Sequence, residues 1–379
     1  MIVDSHAHVF QDWSGPCGLP SREVHWKYIH KNVTRPAAKV YRLRDGAAAD
    51  PQLLYRRGDN TWAGLRGDIN FRVGPYGRLD FTVDGEDYYV QYMPVAMQRI
   101  ESTPEFMVTQ MNAAGVNHCV LQAGFTYGYM NDYNALAQRQ YPHRFSGLFH
   151  VDEPVADSEH WMGEARRAVE DLGLKGIYYN LDGFARYGFR WWFDDARFDA
   201  FWEQLAGFDV PVFIEVASPP DYDQASYEAH LARLERIRAR HPQLRWVLVM
   251  APQAGYYARA GRWHFSDIAE RIYAADNVWL ELCFPISWGG VWEYPFVEAQ
   301  ALIRDLRDRI GTERLVWGSD MPNVERFCTY RQSVDYIRKH CDFLSEREKA
   351  RILGENLGDL LGLTADMLSP PALDPVMPA

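Results

Sequence analysis

Cysteine is scarce in this chain: Cys17, Cys119, Cys283, Cys328 and Cys341 are the 5 among 379 residues. The number is odd, no two form a Cys-x-x-Cys pair, and the spacing suits neither a zinc knuckle nor a disulfide framework. They read as small buried hydrophobes in a reducing compartment. Long apolar runs are also missing. No stretch reaches the length of a membrane-spanning helix, and no basic and then apolar leader precedes the first strand-like segment. The expectation is a soluble, cytoplasmic protein. No Gly-x-Gly-x-x-Gly follows a strand-like run, which removes the usual sign of a doubly wound nucleotide-binding sheet. Nor is positive charge concentrated anywhere. The net charge of -11 is spread without blocks or a basic stripe, so nucleic acid and anionic membrane are poor partners.

Hydrophobic residues are plentiful, at 47%, enough for a large core. The length fits two average domains or one α/β barrel with insertions. Aromatics reach 14%, with 13 Trp and 22 Tyr. They serve either a packed barrel exterior or a pocket for a flat substrate.

The first eight residues, Met-Ile-Val-Asp-Ser-His-Ala-His, organise the rest. In a strand running from Ile2 to Val9, His6 and His8 project from one face, because side chains repeat every second residue. Two imidazoles on one face suit a divalent ion such as Zn, Mn, Fe or Ni. A lone His-x-His is also compatible with two ordinary histidines. Its counterpart lies near the other end, in Leu315-Val-Trp-Gly-Ser-Asp320-Met-Pro, an apolar run that ends in a carboxylate. The two meet if the first and last strands of a closed barrel are neighbours.

Residues 11–100 break any simple alternation of strand and helix. They hold turn formers and two alternating segments, 78–83 and 87–92, joined by Val83-Asp84-Gly85-Glu86, a β-hairpin signature. With Trp13, His25, Trp26, His30 and Trp62 nearby, the segment reads as a cap over one barrel mouth or as an oligomer contact. From Ser102 the rhythm becomes regular. Ser102-Thr-Pro-Glu105 predicts a helix start with Ser102 as N-cap. Apolar strands at 118–123, 145–151, 174–179, 210–216, 244–251, 278–284 and 315–319 alternate with helices up to 346–361. Continuous apolar strands separated by helices imply a parallel sheet buried on both faces. Eight of them, counting the first, predict a (β/α)8 TIM barrel. The expected organisation is one barrel domain over residues 1–368, with 11–100 as an insertion between strand 1 and helix 1, and a Pro-rich tail at 369–379.

Seven motifs in order carry a resemblance. They are Asp4-Ser-His-Ala-His8; Gly173-Leu-Lys-Gly-Ile177; Phe193-Asp-Asp-Ala-Arg-Phe198 with Phe201-Trp-Glu203; Val210-Pro-Val-Phe213; His241-Pro-Gln-Leu244; Trp317-Gly-Ser-Asp-Met-Pro322; and Ile352-Leu-Gly-Glu-Asn356 before Leu360-Leu-Gly362. Together they resemble the amidohydrolase superfamily, in the branch of aminocarboxymuconate semialdehyde decarboxylase and the resorcylate-type decarboxylases. The resemblance implies that His6, His8 and Asp320 hold one divalent metal ion, Zn or Mn. It places a further histidine ligand at the end of strand 5 and a catalytic histidine at the end of strand 6. This chain has Glu215 and Met250 there. Glu215 remains able to ligate a metal, and a lone carboxylate is costly to bury in such an apolar strand. The alternative is an ion pair with Arg259 or Lys175.

Met250 cannot transfer a proton, so either another group takes the acid/base role or the chemistry differs. Asp320 is the expected proton relay; His150, at the end of the third strand, and Lys175 are further catalytic candidates, and His264 could swing in from a loop. Trp191, Trp192, Trp288 and Trp292 could sandwich an aromatic ring. The implied function is metal-dependent, nonoxidative decarboxylation of a small carboxylated aromatic or cyclic substrate. Hydrolysis of a lactone or amide by metal-bound water is the alternative, and a metal-free binding protein on the same barrel is the second. A homodimer follows from the resemblance alone.

Overall fold

The computed structural model describes residues 1–364 apart from 36–37, 217–218 and 289–291. The tail expected at 369–379 lies outside the described residues. Eight strands carry the apolar segments, in chain order Val3–Ala7, His118–Leu121, Phe145–Gly147, Ile177–Asn180, Val212–Glu215, Trp246–Leu248, Val278–Cys283 and Leu315–Gly318. The first three form one sheet and the last five another, each in chain order, and every pairing within them is parallel. Parallel bridges join the sheets at both edges, Ala7 with Met321 and Phe149 with Ile177. At the first of these edges His8 N donates to Met321 O at 2.8 Å and Asp320 N to His6 O at 2.8 Å; at the second, Phe149 N donates to Gly176 O at 2.9 Å.

The strands are apolar on both faces because both faces are covered. One cluster draws Val3, Val120, Tyr178, Phe213, Val247 and Val316 from six of the strands and Leu148 from just past the third, together with Leu357 and Leu360 of the last helix. These positions alternate with those of a much larger cluster in which Cys119, Phe149, Tyr179, Ile214, Trp246 and Leu280 pack against the helices. The period of two thus separates an inner layer from an outer one.

Helix starts follow their capping residues closely. Ser158, Asp223 and Ser345 each accept a backbone N–H at the start of Glu159–Glu170, Gln224–Arg240 and Glu346–Ala350. One expectation needs correction. The N-cap of Pro104–Ala114 is Thr103, whose Oγ1 accepts from Phe106 N at 3.2 Å. Ser102 is used differently: its Oγ donates to His8 O at 3.0 Å, and its backbone pairs with Phe10.

Within residues 11–100, the hairpin forms from Arg78–Val83 and Glu86–Gln91, antiparallel throughout. Asp84 and Gly85 form its two-residue turn with φ of 50° and 79°, as a primed turn requires. Its second strand begins one residue earlier than expected. The hairpin joins three shorter strands in an antiparallel sheet and packs with Trp13, Ile29, Leu54 and Ile69 in a separate apolar cluster. His25 and His30 are buried there with ring nitrogens on backbone carbonyl oxygens, which makes them structural.

Candidate metal centre and its cavity

His6 lies in the first strand and His8 just past its end, and Asp320 stands two residues beyond the last strand, at φ 60°. That left-handed backbone is uncommon for a residue with a Cβ, though Asp tolerates it better than most. It is held by Asp320 N donating to His6 O and by Asp4, which accepts from Ser319 N at 2.9 Å and from His6 N at 3.0 Å. Gly318 makes the approach possible, since a Cβ there would stand 2.7 Å from Ser5 Oγ and 3.0 Å from His6 Cβ.

Three ligand-type atoms converge as a result. His6 Nε2 lies 3.0 Å from His8 Nε2, His8 Nε2 lies 3.1 Å from Asp320 Oδ1, and His6 Nε2 lies 3.7 Å from the same oxygen. All three side chains are buried. The other ring nitrogens are taken: His6 Nδ1 meets Glu281 Oε1 at 2.7 Å, and His8 Nδ1 meets Gln122 O at 3.1 Å. Donating there leaves each neutral ring with its Nε2 lone pair facing the centre. Two lone pairs and a carboxylate oxygen repel unless a cation lies among them. Donor atoms bound to zinc at about 2.1 Å stand roughly 3 to 3.5 Å apart; two of the three separations fall in that range and the third, at 3.7 Å, is slightly longer. The residues fit a divalent ion.

Without such an ion, a proton on His6 relieves the same repulsion. Burial pulls the His6 pKa down, but the carboxylates of Glu281, Asp320 and Asp4 outweigh it and lift it to about 9. Burial holds His8 below its ordinary value. Burial also opposes ionisation of Asp320, yet the His8 hydrogen bond and the nearby imidazoles keep its pKa low. A second grouping, His6 with Glu281 and Cys283, is equally compact. Glu281 is already committed to His6, to Ser5 Oγ at 2.9 Å and to Gln122 Nε2 at 2.8 Å. Burial keeps the Cys283 thiol protonated. That grouping therefore supports His6 from behind.

The triad faces a cavity of about 650 Å³ that Glu215 and Met250 also line. Glu215 is not among the groups compact enough to share an ion. Its Oε2 accepts from the Tyr178 hydroxyl and from Asn180 Nδ2 at 2.7 Å, and burial raises its pKa. Neither Arg259 nor Lys175 pairs with it: Arg259 is exposed, and Lys175 is exposed ahead of the fourth strand, at the end away from the cavity. His150 is fully buried behind Phe125, its Nε2 accepting from Met130 N at 3.1 Å, and does not reach the cavity. His264 is exposed elsewhere. The four tryptophans Trp191, Trp192, Trp288 and Trp292 also lie off the cavity; its aromatic wall comes instead from residues such as Tyr28, Trp62, Tyr92, Phe125 and Tyr127.

Sequence reasoning missed several site residues. Glu281 stands in the apolar run Val278–Cys283, the same signal that drew attention to Glu215. Tyr127 stacks on His8 with ring centroids 4.1 Å apart, and Asn323 Nδ2 donates to Asp320 Oδ1 at 2.8 Å. Neither carries a local sequence signal. Lys31 and Arg35 reach the cavity from the 11–100 segment.

With this geometry in place, comparison with known proteins is informative. The amidohydrolase family model matches residues 3–363. The chain is 30% identical over 131 residues to a gamma-resorcylate decarboxylase of Polaromonas sp. strain JS666, a match that spans 33% of this chain and 39% of that relative. Among solved structures, a probable 2-pyrone-4,6-dicarboxylic acid hydrolase from Acinetobacter baumannii with citric acid bound superposes with a TM-score of 0.57 at 15% identity, over 96% of this chain and 99% of that one. A 2,6-dihydroxybenzoate decarboxylase complexed with 2,6-dihydroxybenzoate gives 0.53 at 16%, over 72% and 90%. A dihydroxybenzoic acid decarboxylase from Polaromonas sp. JS666, with bound manganese and 2-nitroresorcinol, gives 0.51 at 18%, over 69% and 86%. At these identities the structural matches speak for the fold.

Proposed function

The chain belongs to the amidohydrolase family, and from that premise we propose a metal-dependent enzyme that removes a carboxyl group from a small aromatic or cyclic acid without an oxidant. The observation that carries this reading is the convergence of His6 Nε2, His8 Nε2 and Asp320 Oδ1 within 3.0 to 3.7 Å, with both Nδ1 atoms occupied. In this reading the two sheets form one closed eight-stranded barrel, supported by the bridges at both edges. Residues 1–368 are then a single domain in which 11–100 cap the mouth that holds the triad. Barrel active sites gather at the C-terminal strand ends, and the triad, Asn180, Glu215 and Met250 all sit at such ends.

His6, His8 and Asp320 would hold a zinc or manganese ion. When bound, it supplies a Lewis acid for the substrate's oxygen atoms. The gap left by Met250 is filled in this reading by Glu215, which sits on the substrate side and not among the ligands. Both of its donors bind Oε2, leaving Oε1 without a hydrogen bond among the described residues. Its raised pKa favours the protonated carboxyl, as a general acid requires. As the bond from ring carbon to carboxylate breaks, the electron pair stays on the carbon, Glu215 protonates it, and carbon dioxide leaves. Glu215 recovers its proton from water. One proton is thus consumed per carbon dioxide released, and Asp320 would act as the relay for its replacement from water at the triad. The cavity volume is of the size that holds one small ligand.

Hydrolysis of a lactone or amide is the second reading, favoured by Met250, since this chain lacks the histidine expected of the decarboxylases it resembles. Metal analysis of purified protein with manganese or zinc added, compared with His6→Ala and Asp320→Ala, tests the site. About one ion lost in both variants supports it; no ion under any condition favours a metal-free binding protein. Carbon dioxide release from hydroxybenzoates, against acid release from lactones and amides, separates the two reactions. Light scattering of the eluted protein checks the homodimer expected from the resemblance. A cytoplasmic location remains part of the reading; among the described residues no helix is long and apolar enough to cross a membrane.

A further inference from the structure

Lys31 is the one lysine buried in the wall of the cavity. It sits on the helix Arg22–Val33 and is only 6% exposed. Among the described residues its ammonium has a single hydrogen-bond partner, the Tyr222 hydroxyl at 3.5 Å, and no carboxylate within ion-pair distance. The Tyr222 ring lies 5.9 Å away, a long cation–π contact. Each neighbouring charge is spoken for. Arg35 donates to Asp182 Oδ2 at 2.7 Å, and Tyr222 donates to Asp182 Oδ1 at 3.2 Å. The set Lys31, Arg35 and Asp182 therefore carries one positive charge more than negative, an excess that Glu215, whose field also acts on Arg35, offsets only when it is ionised. An ammonium with three donors is held out of water with most of them unused, which is unfavourable until an anion arrives.

The field of His6 reaches Glu215; Asn180 holds Glu215 across the fourth and fifth strands; and Asp182 lies two residues beyond Asn180, its N–H donating to Asn180 Oδ1 at 2.7 Å. Arg35 and Lys31 flank Asp182, and the field of Arg35 also reaches Glu215. The excess positive charge thus lies beside Asp182 and Glu215, in the cavity that His6 and His8 also line.

We propose that Lys31 binds a second carboxylate of the substrate, remote from the group held at the triad, so that the preferred substrate is a diacid. This deepens the proposed function and rests on it for the identity of the cavity as a substrate site. Burial, which lowers the Lys31 pKa, is consistent with a group that becomes fully charged when an anion docks. Lys31 would then be a specificity-determining residue supplied by the segment over the barrel mouth.

The test uses the full chain with and without added manganese, and three probes measured by calorimetry: benzoate, benzene-1,3-dicarboxylate and benzene-1,4-dicarboxylate. Wild type is expected to bind at least one diacid ten-fold or more tighter than benzoate. Lys31→Met should abolish that preference while leaving benzoate affinity within two-fold, and Lys31→Arg should restore part of it. Melting curves establish that each variant is folded. If wild type shows no preference for either diacid, or Lys31→Met weakens all three probes alike, the assignment is overturned. Diacid selectivity that depends on Lys31 in a protein that neither binds metal nor releases carbon dioxide would sink the enzymatic reading and leave this one standing. Turnover and metal binding with no effect of Lys31→Met would do the reverse.

Discussion

Glu281 Oε1 lies 2.7 Å from Nδ1 of His6, between two side chains exposed by no more than 2%. This contact decides which nitrogen of His6 faces the cavity. A carboxylate accepts only, so the ring presents N–H to it and, once the second proton is displaced, a lone pair to the centre. Glu281 in turn is fixed by Ser5 and Gln122.

Glu281→Gln keeps the shape but can offer an N–H to Nδ1 and reverse the His6 tautomer. Manganese affinity is expected to fall about ten- to a hundred-fold, the usual cost of losing such a partner. Calorimetric titration of metal-free protein measures it. Unchanged affinity would show that Glu281 does not orient the ring.

How far the sequence disclosed all this depended on whether the signal was local. His6 and His8 are two residues apart on a strand, so their shared face follows from backbone geometry alone. The one helix start read from its cap was off by a residue, because Ser102 Oγ donates to His8 O across 94 residues and leaves the capping to Thr103. The hairpin was off by one residue at its second strand. Lys31, in contrast, stands in Arg-Glu-Val-His-Trp-Lys-Tyr-Ile-His-Lys-Asn-Val, where a lysine reads as solvent-facing. Only packing of that helix against the cavity buries it. His150 and Lys175 sit at plausible places along the chain, yet Phe125 screens the first and the second lies at the wrong end of its strand.

Gly318 stands where the last strand passes closest to the first. Adding a methyl group in Gly318→Ala forces contacts of 2.7 Å to Ser5 Oγ and 3.0 Å to Glu281 Cγ and His6 Cβ. Overpacking of this kind costs about 1–3 kcal/mol, and manganese affinity should fall with it. Gly163→Ala, in the helix Glu159–Glu170 with nothing within 4 Å of its Cβ, is the control and should stabilise by about 0.5–1 kcal/mol. Urea titrations of both variants check the contrast.

Asp4 ties the ends of the polypeptide together: its carboxylate accepts from Ser319 N at 2.9 Å, His6 N at 3.0 Å, Tyr330 OH at 2.6 Å and the Ser319 hydroxyl. Asp4→Ala leaves these buried donors unmatched, each worth about 1–3 kcal/mol. A loss of at least about 3 kcal/mol in urea unfolding is expected, against about 1 kcal/mol for Tyr330→Phe. Equal effects in the two variants would show that the network does not hold the strand ends.

Acid should destabilise the fold through histidines buried in the neutral form. Burial lowers His30, His118 and His230 from 6.5 to about 4, and His150 to about 3. Between roughly pH 4 and 6.5 the unfolded chain takes up protons at these four sites that the folded chain refuses, so stability rises with pH across that window and falls as pH drops. Asp4 and Glu153 act the other way, since burial raises them to about 6 and about 7 and the folded state holds their protons longer. Burial also lowers His8 and His25, which join the first group, and raises Asp80, Glu215 and Glu325, which join the second; the six lowered histidines outnumber the five raised carboxyls, and each net proton is worth about 1.4 kcal/mol per pH unit. His150 gives the cleanest variant: its Nε2 already accepts from Met130 N, so protonation there would set two N–H groups against each other. His150→Gln is expected to flatten the fall in stability between pH 6 and 4 by up to one proton's slope, read from urea midpoints at half-unit intervals. A wild-type stability that stays level or rises on acidification through this range would show that these histidines accept protons in the folded state.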